Sequence, residues 1–206
     1  MGAFKAYDIR GVYNEDFNKD TAYKVGYFLP SLLECDYVVV GRDIRLTSDE
    51  IFENLCKGIN DSGHDVWNIG LATTPMVYFA TVFLNAGASV QITASHNPPQ
   101  YNGMKISRAK GIPVGGDSGL KDLENLVNNG TVIPVTNKGK IINKNIYEDY
   151  LNYQKAFLPN LDDLNISVDC SNGMSALFVH DLFKDNAKYI NDTMDGSFPA
   201  HEPNPL

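Results

Sequence analysis

A serine and a histidine stand side by side at Ser95 and His96, shortly after the mainly apolar stretch of residues 88–92 and ahead of two prolines. This stretch predicts a buried strand, so Ser95 falls in the loop at its carboxyl end, where ligands gather in open α/β sheets. The prolines stiffen this loop, and Gly103 is expected to allow a tight backbone turn that closes it. Lys105 follows shortly after. A stiff loop that presents a hydroxyl, an imidazole and an ammonium group suits group transfer, in which a serine needs activation and accurate positioning.

The elements that must position this loop alternate between strand-like and helix-like patterns. This alternation predicts an α/β fold with a mixed, mostly parallel sheet flanked by helices. Thr47 and Glu50 are expected to form a capping box at the start of the second helix. Residues 132–142 are read as extended. The remaining predicted elements are strands over residues 36–41, 65–69, 88–92 and 166–169, and helices over residues 21–33, 120–127 and 147–157, with a further helix that carries Pro75 in its first turn.

The chain is predicted to contain two parts. The pattern of strands and helices pauses at Pro159 and restarts at residue 166. We therefore expect a first domain over residues 1–157 and the beginning of a second, incomplete α/β domain over residues 158–206.

The composition of the chain limits the classes of partner that are expected. The net charge is −8 and charged residues make up 20% of the chain, so a nucleic-acid or anionic-membrane partner is not expected. No signal-peptide pattern and no long apolar run is present, which favours a cytoplasmic protein. Cys35, Cys56 and Cys170 lack the spacing of a metal site and are expected to be small core residues.

Several motifs together resemble the α-D-phosphohexomutases, and most closely their phosphomannomutase/phosphoglucomutase branch. Residues 93–105 read Thr-Ala-Ser-His-Asn-Pro-Pro-Gln-Tyr-Asn-Gly-Met-Lys, similar to the phosphoserine loop of that family. Residues 4–11, 41–45 and 73–76 match further turns of its first domain, and residues 168–174 and 195–205 match parts of its second domain. The alternative is a surface loop with a capping serine, but a motif of this length in this setting favours the family.

The resemblance implies a role for each matched residue. Ser95 would carry a phosphoryl group, passing it to a hexose 1- or 6-phosphate of mannose or glucose and recovering it from the 1,6-bisphosphate. Arg10 would contact the phosphoserine, and Lys105 would take part in proton transfer. The alternative for each cation is a solvated surface charge.

Four further residues are expected to have supporting roles. His96 either hydrogen-bonds the phosphate or holds the loop, and Asn97 either binds substrate or shapes the turn. Tyr7 either lines the same cleft or packs in the core. Arg42 and Arg45 each either contribute positive electrostatic potential to the cleft or stabilise a turn through hydrogen bonds.

The resemblance also implies Mg²⁺, bound by the phosphate on Ser95 and by an Asp-Gly-Asp-x-Asp-Arg loop, and glucose 1,6-bisphosphate as activator. No such aspartate loop occurs in the 206 residues. The sequence is therefore interpreted as an N-terminal part of a mutase that is inactive alone. Phosphoglucosamine mutase and a non-catalytic phosphate-binding or interaction fragment stay open as alternatives. Tyr101 favours the phosphomannomutase/phosphoglucomutase branch, and the oligomeric state is left undetermined.

Overall fold

A sheet of seven strands forms the centre of the computed structural model, which describes residues 2–204. The strands are β1 (Ile9–Val12), β2 (Tyr37–Arg42), β3 (Asp65–Leu71), β4 (Ala88–Ile92), β5 (Tyr101–Arg108), β6 (Ile112–Pro113) and β7 (Ile141–Asn143). They lie in the order β1-β5-β4-β2-β3-β7, with β6 on β5. Among these strands β5 alone runs against the others, because it pairs antiparallel with β1, β4 and β6. The prediction of a mixed, mostly parallel sheet flanked by helices is confirmed.

Five helices cover the two faces of this sheet: α1 (Lys19–Leu33), α2 (Ser48–Asp61), α3 (Thr74–Phe83), α4 (Leu120–Asn129) and α5 (Tyr147–Lys155). Strand β2 shows why both faces are covered, because alternate side chains of a strand point to opposite faces. Val38 and Val40 pack with α1, α2 and α4 in one core, whereas Val39 packs with α3 and α5 in a second core. All three valines are fully buried, as expected for a central parallel strand.

The predicted capping box of α2 is wrong. The Thr47 side chain makes no capping hydrogen bond, and its Oγ1 instead accepts a bond of 2.9 Å from Nδ2 of Asn102. A contact across the fold has therefore replaced the local one.

The predicted turn at Gly103 is also wrong, because Gly103 lies inside β5 opposite Arg10 of β1. A Cβ atom at this position would lie 2.1 Å from the carbonyl oxygen of Ile9. The glycine is needed for close approach of two strands, not for an unusual φ. Within residues 132–142, strand pairing begins only at Ile141, so the extended reading of that segment is wrong for most of its length.

The part of the chain after α5 contains a small separate sheet, in which β8 (Ile166–Asp169) and β9 (Ala187–Ile190) pair in parallel. A short helix, α6 (Val179–Phe183), lies between them and contacts α5. The strand predicted over residues 166–169 is confirmed, whereas the division at residue 157 stays a prediction. All three cysteines are buried and free. In the described residues, no helix combines the length and the apolar character that crossing a bilayer requires.

Candidate active site

Ser95 sits in an exposed turn immediately after β4. Its backbone has a φ of +57°, which is uncommon for a residue that carries a side chain. The Ser95 amide donates a 2.9 Å hydrogen bond to Oγ1 of Thr93, which closes the turn. The Ser95 hydroxyl lies 3.4 Å from Nδ1 of His96, and both side chains are open to solvent. The turn thus displays the hydroxyl with an imidazole beside it.

Two cations share one carboxylate next to this turn. Oδ2 of Asp8 accepts hydrogen bonds from Nη2 of Arg10 and, at 3.1 Å, from Nζ of Lys105. Nη1 of Arg10 donates at 2.9 Å to Oδ1 of Asn97, which ties the cluster to the serine turn. The structure therefore brings together three of the predicted residues, Arg10, Lys105 and Asn97, and adds Asp8.

The pairing of β1, β5 and β4 creates this cluster. Arg10 faces Gly103 across the β1–β5 pair, and Lys105 lies two residues further along β5. Residues at such diagonal positions share one face of the sheet, so long side chains can meet there. Asp8 immediately precedes β1 and is only 8% exposed. Sequence reasoning gave Asp8 no role, although it lies within the recognised stretch of residues 4–11.

Arg45 lies beneath the serine turn with its side chain fully buried. Burial lowers the pKa of this guanidinium, and the nearby Asp43 carboxylate opposes that effect. Its N–H groups donate to carbonyl oxygens of the serine loop. Of the two predicted roles for Arg45, hydrogen bonding within the turn is the one that the structure displays.

Arg42 and Tyr7 are not brought to the serine turn. Nε of Arg42 donates to Asp49 at the start of α2, and its guanidinium lies 4.8 Å from the ring centre of Phe52. Tyr7 is 80% exposed and borders a different depression, next to Pro113 and Gly115. The structure thus separates these two predicted residues from Ser95.

A cleft of about 400 Å³ opens in front of Ser95 and His96. The opposite wall comes from the later part of the chain, and the start of α3 contributes Thr73 and Thr74. Arg10 and Lys105 lie outside the described lining of this cleft, so the cations approach the serine turn from another side. The lining residues are Asp43, Ile44, Ala72, Thr73, Thr74, Gln91, Thr93, Ser95, His96, Cys170, Ser171, Gly173, Met174, Phe198 and Pro203.

A second polar group lies at the opposite wall. Nε2 of His201 is 3.0 Å from Oδ2 of Asp169 and 3.4 Å from Oγ of Ser171. The carbonyl oxygen of Glu202 and the Asp169 carboxylate raise the pKa of His201. The Ser171 amide, the Asn191 amide group and His201 lower the pKa of Asp169. The residues were noted only as parts of motifs, because their contact depends on the folding of two distant segments.

The donors in the described residues do not fit a magnesium site by themselves. Magnesium requires near-octahedral oxygen ligation, usually with carboxylates and waters. Within residues 2–204, no three His, Cys, Asp or Glu side chains lie close enough together to hold a metal ion. A phosphate on Ser95 could offer oxygen ligands, but one group does not complete such a site.

Comparison with known proteins shows which family has this fold and these motifs. Residues 1–132 match the family described as phosphoglucomutase/phosphomannomutase, alpha/beta/alpha domain I. A phosphomannomutase from Salmonella montevideo is 37% identical over 219 aligned positions, covering 100% of this chain and 48% of the relative. A phosphoglucomutase from Neisseria gonorrhoeae is 34% identical over 212 positions, covering 98% of this chain and 45% of the relative. The chain thus spans about half the length of the curated relatives it matches.

A solved structure shares the architecture. The crystal structure of a phosphoglucomutase/phosphomannomutase family protein from Burkholderia thailandensis superposes with a TM-score of 0.86 at 29% sequence identity. The match covers 98% of this chain and 46% of that protein. The similarity therefore includes both the main sheet and the segment that forms the opposite wall of the cleft.

Proposed function

The chain belongs to the phosphoglucomutase/phosphomannomutase family, and we propose that Ser95 is the phosphoryl carrier of a phosphohexomutase. The carried group passes to a hexose 1- or 6-phosphate, of mannose or of glucose, and gives a 1,6-bisphosphate. The bisphosphate then returns its other phosphoryl group to Ser95. The names of the relatives, which include both phosphomannomutase and phosphoglucomutase, support these two substrates.

The observation that carries this proposal is the presentation of Ser95. Its hydroxyl is exposed at a cleft, on a turn braced from behind by Arg45 and linked through Asn97 to Arg10. Phosphoryl transfer depends chiefly on alignment and on stabilisation of charge, and both follow from a fixed serine with cations beside it.

The residues around Ser95 have distinct roles in the proposed transfer. The bond between phosphorus and Oγ of Ser95 breaks while a bond to the sugar hydroxyl oxygen forms. The hydroxyl proton passes to the neutral amine of Lys105, and Oγ of Ser95 takes up a proton in return and leaves as a hydroxyl. The Asp8 carboxylate holds the ammonium form of Lys105 that results. Arg10 stabilises charge on the phosphoryl oxygens, since a guanidinium donates two parallel hydrogen bonds to such a group. His96 orients the hydroxyl.

The complete reaction requires more than the 206 residues supply. The described part contains no complete set of magnesium ligands. We therefore propose that this stretch supplies the serine that carries the phosphoryl group but does not turn over on its own. Glucose 1,6-bisphosphate is the proposed activator because it delivers a phosphoryl group to unmodified Ser95.

The test is phosphorylation of Ser95 itself. The full-length enzyme is treated with glucose 1,6-bisphosphate and Mg²⁺, and intact mass and peptide mapping locate any phosphoryl group. We expect one group on Ser95, none in Ser95→Ala, and an unchanged result in Ser167→Ala, which removes an exposed hydroxyl on β8. Phosphate on a different residue in the wild-type chain would contradict the assignment.

Turnover is measured separately, by coupling glucose 6-phosphate formed from glucose 1-phosphate to a dehydrogenase. We expect no turnover by the 206-residue chain and turnover by the complete gene product. Turnover by the short chain that disappears in Ser95→Ala would show that the catalytic machinery lies entirely within these residues.

A further inference from the structure

The guanidinium of Arg45 donates hydrogen bonds to four carbonyl oxygens of the serine loop. Nη1 of Arg45 donates to the carbonyl oxygens of Pro98 at 2.8 Å and Tyr101 at 3.0 Å. Nη2 donates to the carbonyl oxygens of Ser95 at 3.0 Å and Asn97 at 2.7 Å. The loop is therefore wrapped around the side chain of Arg45. Of the four oxygens, the Pro98 carbonyl also accepts a hydrogen bond from the Tyr101 amide within the loop.

The planar shape of the guanidinium explains this choice of residue. Its N–H groups point in fixed directions within one plane, so four carbonyl oxygens that bond to them must take up one arrangement. One of the four belongs to Ser95, whose left-handed backbone is unfavourable for a residue with a Cβ atom. Such a conformation persists only where surrounding contacts enforce it.

We propose that Arg45 is a positioning residue that holds Ser95 in its left-handed conformation and so fixes the direction of the nucleophilic hydroxyl. The role of the hydroxyl rests on the proposed function. The conformation of the loop does not, and it can be measured without any turnover.

The guanidinium is itself held from two sides. Oδ2 of Asp43 lies 3.3 Å from Nε of Arg45, and Oδ1 accepts from the Ser48 hydroxyl at 2.6 Å. The ring of Phe198 lies over the guanidinium, with 5.1 Å between the ring centre and Cζ. A cation above an aromatic face is attracted to it, and more strongly where water is excluded.

The contact with Phe198 connects the later segment to the serine loop. Gly196 reinforces it, since a Cβ atom there would lie 2.2 Å from the carbonyl oxygen of Ile44. The turn at residues 195–198 therefore packs directly on the backbone that carries Arg45. Consequently, loosening Phe198 should loosen the serine loop, although Phe198 makes no hydrogen bond to it.

The experiment compares Arg45→Lys with Arg108→Lys in the 206-residue chain by NMR. Lysine retains the positive charge at residue 45 but cannot satisfy four coplanar acceptors. We expect amide exchange at Ser95, Asn97 and Tyr101 to accelerate at least tenfold in Arg45→Lys, with a changed HN–Hα coupling at Ser95 that reports a changed φ. Amides of β4 should keep their protection, and Arg108→Lys should resemble the wild type throughout.

An unchanged coupling and unchanged exchange in a folded Arg45→Lys would overturn the proposal. If Arg45→Lys does not fold, Phe198→Leu decides instead, with Phe52→Leu as the control because Phe52 stacks on Arg42 away from the loop. Faster amide exchange at Ser95, Asn97 and Tyr101 in Phe198→Leu alone supports the proposal, and equal exchange in both variants contradicts it. In the complete gene product, Arg45→Lys should lower kcat at least tenfold with little change in KM. A wild-type full-length enzyme that is never phosphorylated on Ser95 would refute the proposed function and leave the loop result standing.

Discussion

Nζ of Lys105 lies 3.1 Å from Oδ2 of Asp8, the same oxygen that accepts a hydrogen bond from Arg10. One carboxylate thus holds two cations, and the Asp8 side chain is only 10% exposed. Asp8, Arg10 and Lys105 together carry a net positive charge beside the Ser95 turn, and Asp8 sets the positions of the two cations. A phosphoryl group on Ser95 would meet two cations that are already oriented, so less reorganisation is needed during transfer.

Asp8→Asn is expected to slow phosphorylation of Ser95 by glucose 1,6-bisphosphate. An amide oxygen can still accept from both cations but carries no negative charge, so Arg10 and Lys105 lose the charge that holds them together. A hydrogen bond to a charged group is worth about 1.5–3 kcal/mol, which corresponds to roughly 10- to 100-fold in rate. The rate of phosphorylation is measured by quenching the reaction at successive times and determining the intact mass of the protein.

The control for Asp8→Asn is Asp117→Asn, which removes an exposed carboxylate paired with Lys121 on the surface. That variant should be phosphorylated at the wild-type rate. Equal rates in Asp8→Asn and the wild type would remove Asp8 from the proposed machinery.

Arg10→Ala and Lys105→Ala should each lower kcat/KM of the complete gene product while leaving the fold intact. Each change removes a charge-assisted contact to phosphate or substrate, worth on the order of 2–4 kcal/mol, or roughly 30- to 1,000-fold. Steady-state kinetics with matched circular dichroism measure both effects. Lys110→Ala, on an exposed turn, serves as the control. Near-wild-type rates in both variants would mean that Arg10 and Lys105 are solvated surface charges without a role in the reaction.

The patterns of apolar and polar residues in short stretches of sequence predicted the strands and helices that depend on those stretches alone. The strand at residues 88–92 coincides with β4, whose five residues are all buried, the polar Ser89 and Gln91 included. The stripe Ile51, Leu55 and Ile59 is fully buried on α2, as its helical spacing indicates. The position of Ser95 after β4 followed from the same reasoning.

Features that depend on distant pairing were not predicted. Strand β5 was read as a loop because Gly103 interrupts its pattern, although Met104 and Ile106 are both buried in the core. Asp8 meets Lys105 across 97 positions of sequence, and Arg45 meets the Ser95 carbonyl across 50. Neither contact leaves a periodic signal. The first shows only in the register of β1 and β5, and the second only in the packing of the turn after β2 against the serine loop.

Gly103→Ala should destabilise the protein and disturb the Asp8 cluster together. The added Cβ would lie 2.1 Å from the Ile9 carbonyl oxygen and 3.1 Å from Cα of Arg10, and backbone atoms cannot move aside independently. Overpacking of this kind costs about 1–3 kcal/mol, or more where backbone is involved. Urea unfolding measures the cost.

The matched change, Gly2→Ala, places a Cβ 3.7 Å from Oε1 of Glu124 and should leave stability unchanged. A Gly103→Ala protein as stable as the wild type would show that β1 and β5 can separate without loss.

Asp61 should make stability depend on pH in the acid range. Its side chain is 4% exposed and accepts from Lys138 at 2.6 Å, Lys57 at 3.0 Å and Tyr23 at 2.8 Å. Burial by itself would raise the pKa of Asp61, but the hydrogen bonds from Lys138, Tyr23 and Lys57 outweigh it and lower the pKa from 3.8 to about 2. The unfolded chain therefore binds a proton on Asp61 at a higher pH than the folded chain does.

Because the folded pKa is the lower one, this contribution is fully present above the unfolded value of 3.8 and is lost as the pH falls toward 2. Asp61→Asn should cost about 2 kcal/mol of unfolding free energy at pH 7. The difference from wild type should shrink steadily below pH 4 as Asp61 becomes protonated. Urea unfolding of both proteins across the acid range measures it, with the exposed Asp163→Asn as the control that is expected to show no such difference. A constant difference between wild type and Asp61→Asn at every pH would mean that Asp61 acts through packing, because only an ionised carboxylate can lose its attraction to Lys138 and Lys57 by taking up a proton.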